Sequence, residues 1–261
     1  AMFSTYIAST LIQNGNSYWV GFFVALFAGA ALGALLDILV MRPLSNKKKT
    51  ELLSSESMRA AIPVIASLGI LGVLQALAGI IWAAEERGFP APAAQEGFTV
   101  AGSVMPFTSF DVFVISIVLI TLTMTTIFFK KTGVGLAMRA TALNQEVARL
   151  SGIRTNFTRT LSWAISGAAS SLAGLLITPT SNLSPNTLDL VLIIGFTAAV
   201  VGGLDSPAGA VLGGFIVGLV ISFVTFYLSP EDVFISILAV LLIVLIVKPR
   251  GILGGKDSRR V

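Results

Sequence analysis

Cysteine and histidine are both missing from the 261-residue chain. Their absence excludes disulfides, metal sites built on thiolate or imidazole, a thiol nucleophile and a histidine general base, so a Ser-His-Asp hydrolase is ruled out. Charge is scarce as well. Asp, Glu, Lys and Arg make up 11% of the residues, against about 25% in an average soluble domain. A hydrophobic share of 55% excludes a disordered chain, which needs low hydrophobicity and high charge. What is present instead is apolar sequence in long continuous runs, the composition of a polytopic helical membrane protein.

A helix needs about 20 mostly apolar residues to cross the hydrocarbon core. Seven runs serve as full spans: Tyr18 to Met41, Ala60 to Ala84, Val112 to Phe129, Leu161 to Thr178, Leu188 to Leu204, Ala208 to Leu228 and Val233 to Val247. They are continuous rather than alternating, which marks helices and not barrel strands. Ala1 to Ile12 is apolar but too short to cross. Ala1 is not a start methionine and no signal-peptide pattern is visible, so residues upstream of it are expected. The expected fold is all-α: one transmembrane domain over 1–261, a bundle of seven full spans and a partial N-terminal helix. Ser206 as N-cap and Pro207 at the first helical position predict where the Ala208 to Leu228 helix starts. That span and Leu188 to Leu204 are read as two crossings rather than a re-entrant pair.

The few charges are segregated. Of 17 Lys and Arg residues, 16 lie in three segments: Arg42 to Arg59, Lys130 to Arg159, and the tail from Lys248. Alternating the spans puts all three on one side of the membrane. The other side keeps Arg87 beside Glu85, Glu86, Glu96, Asp111, Glu231 and Asp232. Positive-inside bias makes the basic side, with the C-terminus, cytoplasmic. The basic balance therefore records orientation, and no soluble basic domain is left over to bind nucleic acid. The 27-residue acidic loop from Glu85 to Asp111 reads either as a lid or as a contact for an outer partner.

Small residues recur inside the spans. Gly29 and Gly33, Gly209 and Gly213, and Gly214 and Gly218 are each four apart, and Ser166, Ser170 and Gly174 form a stripe. Such spacing lets helix backbones approach closely in lipid. Thr121, Thr123, Thr125 and Thr126 either line a polar path or bond back to their own helix. Asp37 sits near the end of its span, one turn from Arg42, and Asp189 and Asp205 lie at span ends. With no carboxylate at mid-membrane, a proton-coupled carrier and an intramembrane aspartyl protease are both disfavoured.

Between the third and fourth full spans, Leu136, Ala140, Leu143, Val147 and Leu150 recur at spacings of four and three. This predicts one amphipathic helix, with Arg139, Asn144, Gln145, Glu146 and Arg149 on its other faces and Gly152 ending it. It reads either as an interfacial helix on the bilayer or as a peg for a groove on a soluble partner.

This segment, about 130–160, resembles the coupling region of the Liv-type permeases of branched-chain amino-acid ABC importers. The residues that carry the likeness are Gly135, Arg139, Ala140, Asn144, Glu146, Ala148, Gly152 and Ile153. Three further stretches agree in order: Arg42-Pro43-Leu44, the Gly-rich run from Phe196 to Gly214, and Lys248 to Gly254. Arg42-Pro43-Leu44 is similar to the H-type subunit rather than to its M-type partner. Ser4-Thr5-Tyr6 stands where the family has Gly-Ala-Tyr, and the family's preceding helix is absent.

The resemblance implies coupling to an ATPase through Arg139, Ala140, Leu143, Asn144, Glu146, Val147, Gly152 and Ile153. It implies helix packing or gating at Gly202, Gly203, Asp205, Gly209, Gly213 and Gly214. It implies a second homologous permease subunit, two cytoplasmic ATP-binding subunits carrying ATP and Mg, an extracytoplasmic solute-binding protein, and a bacterial inner membrane as the location. No Gly-x-x-x-x-Gly-Lys-Ser/Thr occurs in the chain, so ATP phosphates are not cradled that way here. No cofactor or metal is expected on this chain. The candidates for solute contact are Thr121, Thr125, Ser166 and Thr197. The expected solute is a branched-chain or related amino acid. A urea or short-amide permease, and a stand-alone carrier or channel, stand as alternatives.

Overall fold

The computed structural model describes residues 1–44, 56–82, 86–94, 96–100, 103–204 and 206–254. Six helices among them are long and apolar enough to cross a membrane, and a seventh is shorter, so the protein is a polytopic helical membrane bundle. The chain divides into two compact units, Ala1–Asn186 and Thr187–Val261.

The first unit opens with α1 (Met2–Gln13), about 18 Å long at 1.5 Å per residue and short of the ~30 Å hydrocarbon core. A turn at Gly15, held at φ +88°, brings α2 (Tyr18–Leu36) back against it. Ala8, Phe22, Ala25, Phe89 and Leu175 form the shared core. α2 does not end where its regular hydrogen bonds do. A single π-helical turn, Asp37–Met41, and one more turn, Arg42–Leu44, continue it as a 27-residue apolar helix, Tyr18–Leu44. α3 (Glu56–Trp82) closes on α1 through Trp82, whose ring stacks 5.2 Å from that of Tyr6 and whose indole N–H donates to Thr10 Oγ1 at 2.8 Å.

The acidic loop that follows adds a small element the all-helical expectation did not include. β1 (Gly97–Val100) pairs antiparallel with β2 (Ser103–Thr108). Thr108 and Asp111 then form a reciprocal capping box that starts α4 (Ser109–Lys131), satisfying two amides that no helical carbonyl reaches. Phe110 is the one buried residue of α4. Val118, Leu119, Ile120 and Met124 are exposed, an apolar surface suited to lipid rather than to water.

α7 (Thr155–Ile177) begins six residues ahead of the expected Leu161 and packs along α2. The contact is made of small residues, and of the expected stripe only Gly174 lies on it. Ser166 and Ser170 are exposed, whereas Gly167, Ser171 and Gly174 face inward. A Cβ on Gly29 would stand 2.6 Å from Ser171 Cβ and 2.7 Å from the Gly167 carbonyl, and one on Gly33 would strike the Trp163 carbonyl. A helix turns about 100° per residue, so a one-residue offset moves a stripe well off the interface.

The second unit holds α8 (Thr187–Gly202), α9 (Pro207–Tyr227) and α10 (Val233–Val247). α8 has 16 residues, about 24 Å, and Gly203, at φ +110°, stops it; α10 is extended to an 18-residue apolar span by the turn Pro230–Asp232 that leads into it. As the sequence predicts, Pro207 opens α9 and the Ser206 side chain accepts from the Gly209 amide at 3.0 Å. Ala198, Val201 and Val217 form the core of this unit. The Gly202 and Gly209 backbones touch, and Gly213 lies against the Ala198 carbonyl. Gly214 and Gly218 have open space where a Cβ would go, so Gly214 is not part of this packing seam. Gly203 serves the tail instead. The Ile252 amide donates to Val201 O at 2.8 Å and the Leu253 amide to Gly202 O at 2.9 Å, satisfying carbonyls the helix end leaves open. Asp205 lies outside the described residues.

Candidate functional site

The segment between α4 and α7 leaves the bundle through a tight corner. Thr132 accepts from the Gly135 amide at 3.0 Å and caps α5 (Gly133–Leu143). A Cβ on Gly135 would run into the Phe128 carbonyl, so the corner requires glycine there.

The expected single amphipathic helix is two helices. Asn144 takes an extended conformation, φ −156° and ψ 108°, and breaks the run. Its Oδ1 accepts from the amides of Glu146 at 3.0 Å and Val147 at 3.1 Å, making it the N-cap of α6 (Gln145–Leu150). Periodicity alone missed this because asparagine inside a helix pattern competes for the backbone only through its own side chain. α6 ends as predicted at Gly152, φ +82°. The Ile153 amide donates to Ala148 O and the Gly152 amide to Arg149 O, the double bond pattern of a glycine-terminated helix.

The apolar face points outward. Leu143 is 89% exposed and Leu150 88%, and Leu136 and Val147 are exposed as well. Arg139, Asn144, Glu146 and Gly152 are also exposed, while Ala140 and Ile153 are half-buried. The residues that anchor the segment are others: Gly135, Met138 and Ala148 are buried, and Thr141 Oγ1 lies 3.3 Å from Thr158 Oγ1 on α7. Thr141 is thus a fastening point that helical periodicity of apolar residues did not single out.

A cleft of about 250 Å³ lies beneath the segment, lined by Met138, Thr141, Ala142, Gln145, Thr158, Arg159 and Ser162. Arg159 reaches from it into the protein, its Nε 2.9 Å from Asp37 Oδ1. Asp37 is fully buried. Its other oxygen lies 3.4 Å from Arg42 Nε and accepts from the Thr160 hydroxyl. Arg42 also donates to Asn156 O at 3.2 Å and to Thr160 Oγ1. A buried carboxylate needs such company: leaving one uncompensated costs about 3–5 kcal/mol. The sequence marked Asp37 and Arg42 by proximity; Arg159 and Thr160 are more than a hundred residues away, and only the fold brings them in.

The candidates for solute contact are dispersed. Thr121 donates back to Ile117 O and Thr123 to Leu119 O, each at 2.8 Å, so those hydroxyls serve their own helix. Thr125 is half-buried and Ser166 exposed. Thr197, in the second unit, is fully buried, and its hydroxyl has no hydrogen-bond partner among the described residues. The α5–α6 segment offers a shaped apolar ridge on a capped, fastened support.

Comparison with known proteins gives a consistent picture. A family model described as branched-chain amino acid transport system / permease component matches residues 1–247. The chain is 30% identical to a probable branched-chain amino acid transport permease protein LivH of Methanocaldococcus jannaschii, over 97% of this chain and 80% of that one. It is 28% identical to the high-affinity branched-chain amino acid transport system permease protein LivH of Escherichia coli K12, over 98% and 82%. A fructose import permease protein FruF of Bifidobacterium longum is 26% identical over 82% of this chain and 57% of its own length. No solved structure matches.

Proposed function

The chain belongs to the family of branched-chain amino acid transport system permease components, and from that premise we propose that it is the membrane-spanning subunit of an ATP-binding-cassette importer for branched-chain or related amino acids. It works with a second homologous permease, two ATP-binding subunits that carry ATP and Mg, and an extracytoplasmic solute-binding protein. The family likeness supports the cytoplasmic membrane as its location, and charge asymmetry supports an orientation with the α5–α6 segment and the C-terminus inside.

One observation carries the coupling role. Leu143, Val147 and Leu150 stand exposed on a segment whose inner side is tied down by Met138, Thr141 and Ala148. An apolar ridge on a rigid base fits a groove on a soluble partner. Closure of the ATPase pair would move the ridge, and the fastened base would pass that movement to α7.

The test is uptake into proteoliposomes holding the permease pair and the ATP-binding subunits, supplied with the solute-binding protein, with leucine, other amino acids, urea and fructose compared. ATP-dependent uptake of a branched-chain amino acid supports the reading. Uptake that ignores ATP, with no copurifying ATPase, supports a stand-alone carrier. Fructose belongs in the panel because a fructose permease is among the relatives.

A further inference from the structure

Asp37 lies in the one π-helical turn of the chain's described residues, Asp37–Met41. π-turns inside α-helices are uncommon and gather at functional positions. Three side chains converge on this carboxylate. Arg42 follows the turn on the same helix, whereas Arg159 and Thr160 come from the first turns of α7. Arg159 also lines the cleft under the α5–α6 segment, beside Thr158, which touches Thr141 of that segment. Higher up, α2 and α7 meet through Gly29, Gly33, Gly167 and Ser171 with no room for a methyl group. The two helices are therefore joined at two levels, by close backbone contact within the span and by ions at its end.

We propose that the Asp37–Arg159 pair is a positioning device that carries displacement of the α5–α6 segment into α2, Arg159 being the residue that joins the two. The proposal rests on the coupling role given above. A fully buried carboxylate held by two guanidinium groups has few arrangements open to it, because each alternative leaves a charge unpaired. The pair is thus suited to hold α2 and α7 in one register and to move them together. Close packing already favours discrete arrangements over gradual sliding, and a buried charge whose alternatives are unpaired strengthens that preference. The π-turn supplies the local freedom, since its wider hydrogen-bond ring makes this the place where α2 departs from regular α-helical geometry.

The experiment uses the complete importer in proteoliposomes and reads ATP hydrolysis and amino-acid uptake together. With Arg159→Gln or Asp37→Asn, hydrolysis is expected to stay within about threefold of the parent while uptake falls at least tenfold. Arg159→Lys keeps the charge but not the fork, and is expected to recover part of the uptake. The absence of cysteine allows a second readout. Spin labels at Ala142 and Val40 report their separation with and without nucleotide, and the nucleotide-driven change is expected in the parent and not in Arg159→Gln. A ratio of hydrolysis to uptake like the parent's in Arg159→Gln overturns the proposal, as does an unaltered label response. Should Arg159→Gln and Asp37→Asn fail to assemble, Arg159→Lys decides: an assembled complex with the parent's ratio overturns it. If the parent shows no ATP-dependent uptake, the coupling role itself fails, which is a different result from parent-like behaviour of the variants.

Discussion

Gly33 rests against the carbonyl oxygen of Trp163 so closely that a Cβ at residue 33 has nowhere to go. A backbone carbonyl in a helix does not swing aside as a side chain would, so accommodation requires α2 and α7 to part. Gly33→Ala is expected to destabilise the protein by about 1–3 kcal/mol, the usual cost of overpacking, and to lower the melting temperature in detergent. Gly214→Ala and Gly218→Ala lie within α9 and meet open space, so they should not lower it and, as compatible Gly→Ala changes in a helix, should raise it slightly.

Leu143 is 89% exposed, so Leu143→Glu removes no internal packing. Its melting temperature should match the parent's. Uptake should fall at least tenfold while the complex still hydrolyses ATP. Parent-level uptake at equal expression would show that the ridge does not couple.

Asn144→Ala deletes the two hydrogen bonds that begin α6, at a cost of about 0.5–2 kcal/mol for a lost cap. The loss is local. Hydrogen exchange at the Glu146 and Val147 amides should accelerate while that of α7 stays put, and Asn144→Asp should restore protection.

Gly203→Ala places a Cβ 2.7 Å from the Gly254 amide at a φ of +110°, a conformation that alanine avoids. The tail should detach from the end of α8. Limited trypsin digestion should then cut after Arg250 faster than in the parent.

The apolar runs and the caps at Ser206 and Gly152 were legible in the sequence because each depends on neighbours along the chain. Three features were not. Asn144 splits the coupling segment by a side-chain bond to its own backbone, which hydrophobic spacing does not register. The inward face of α7 falls on Gly167 and Ser171 rather than on Ser166 and Ser170, because spacing fixes a stripe's period and leaves its phase to the partner helix. Arg159 finds Asp37 across an ion pair between two helices far apart in sequence. Each miss concerns which surface meets which, and that information is tertiary.

The docking of Ile252 and Leu253 on the end of α8 also sets an order of assembly. The carbonyls of Val201 and Gly202 receive these donors from residues made after α9 and α10. During synthesis α8 must therefore wait, its last turn served by water or lipid headgroups, until Ile252 and Leu253 have been made. The second unit is finished from its end backward, and a chain arrested before Gly251 would enter the membrane with its helices made and their closing clasp missing.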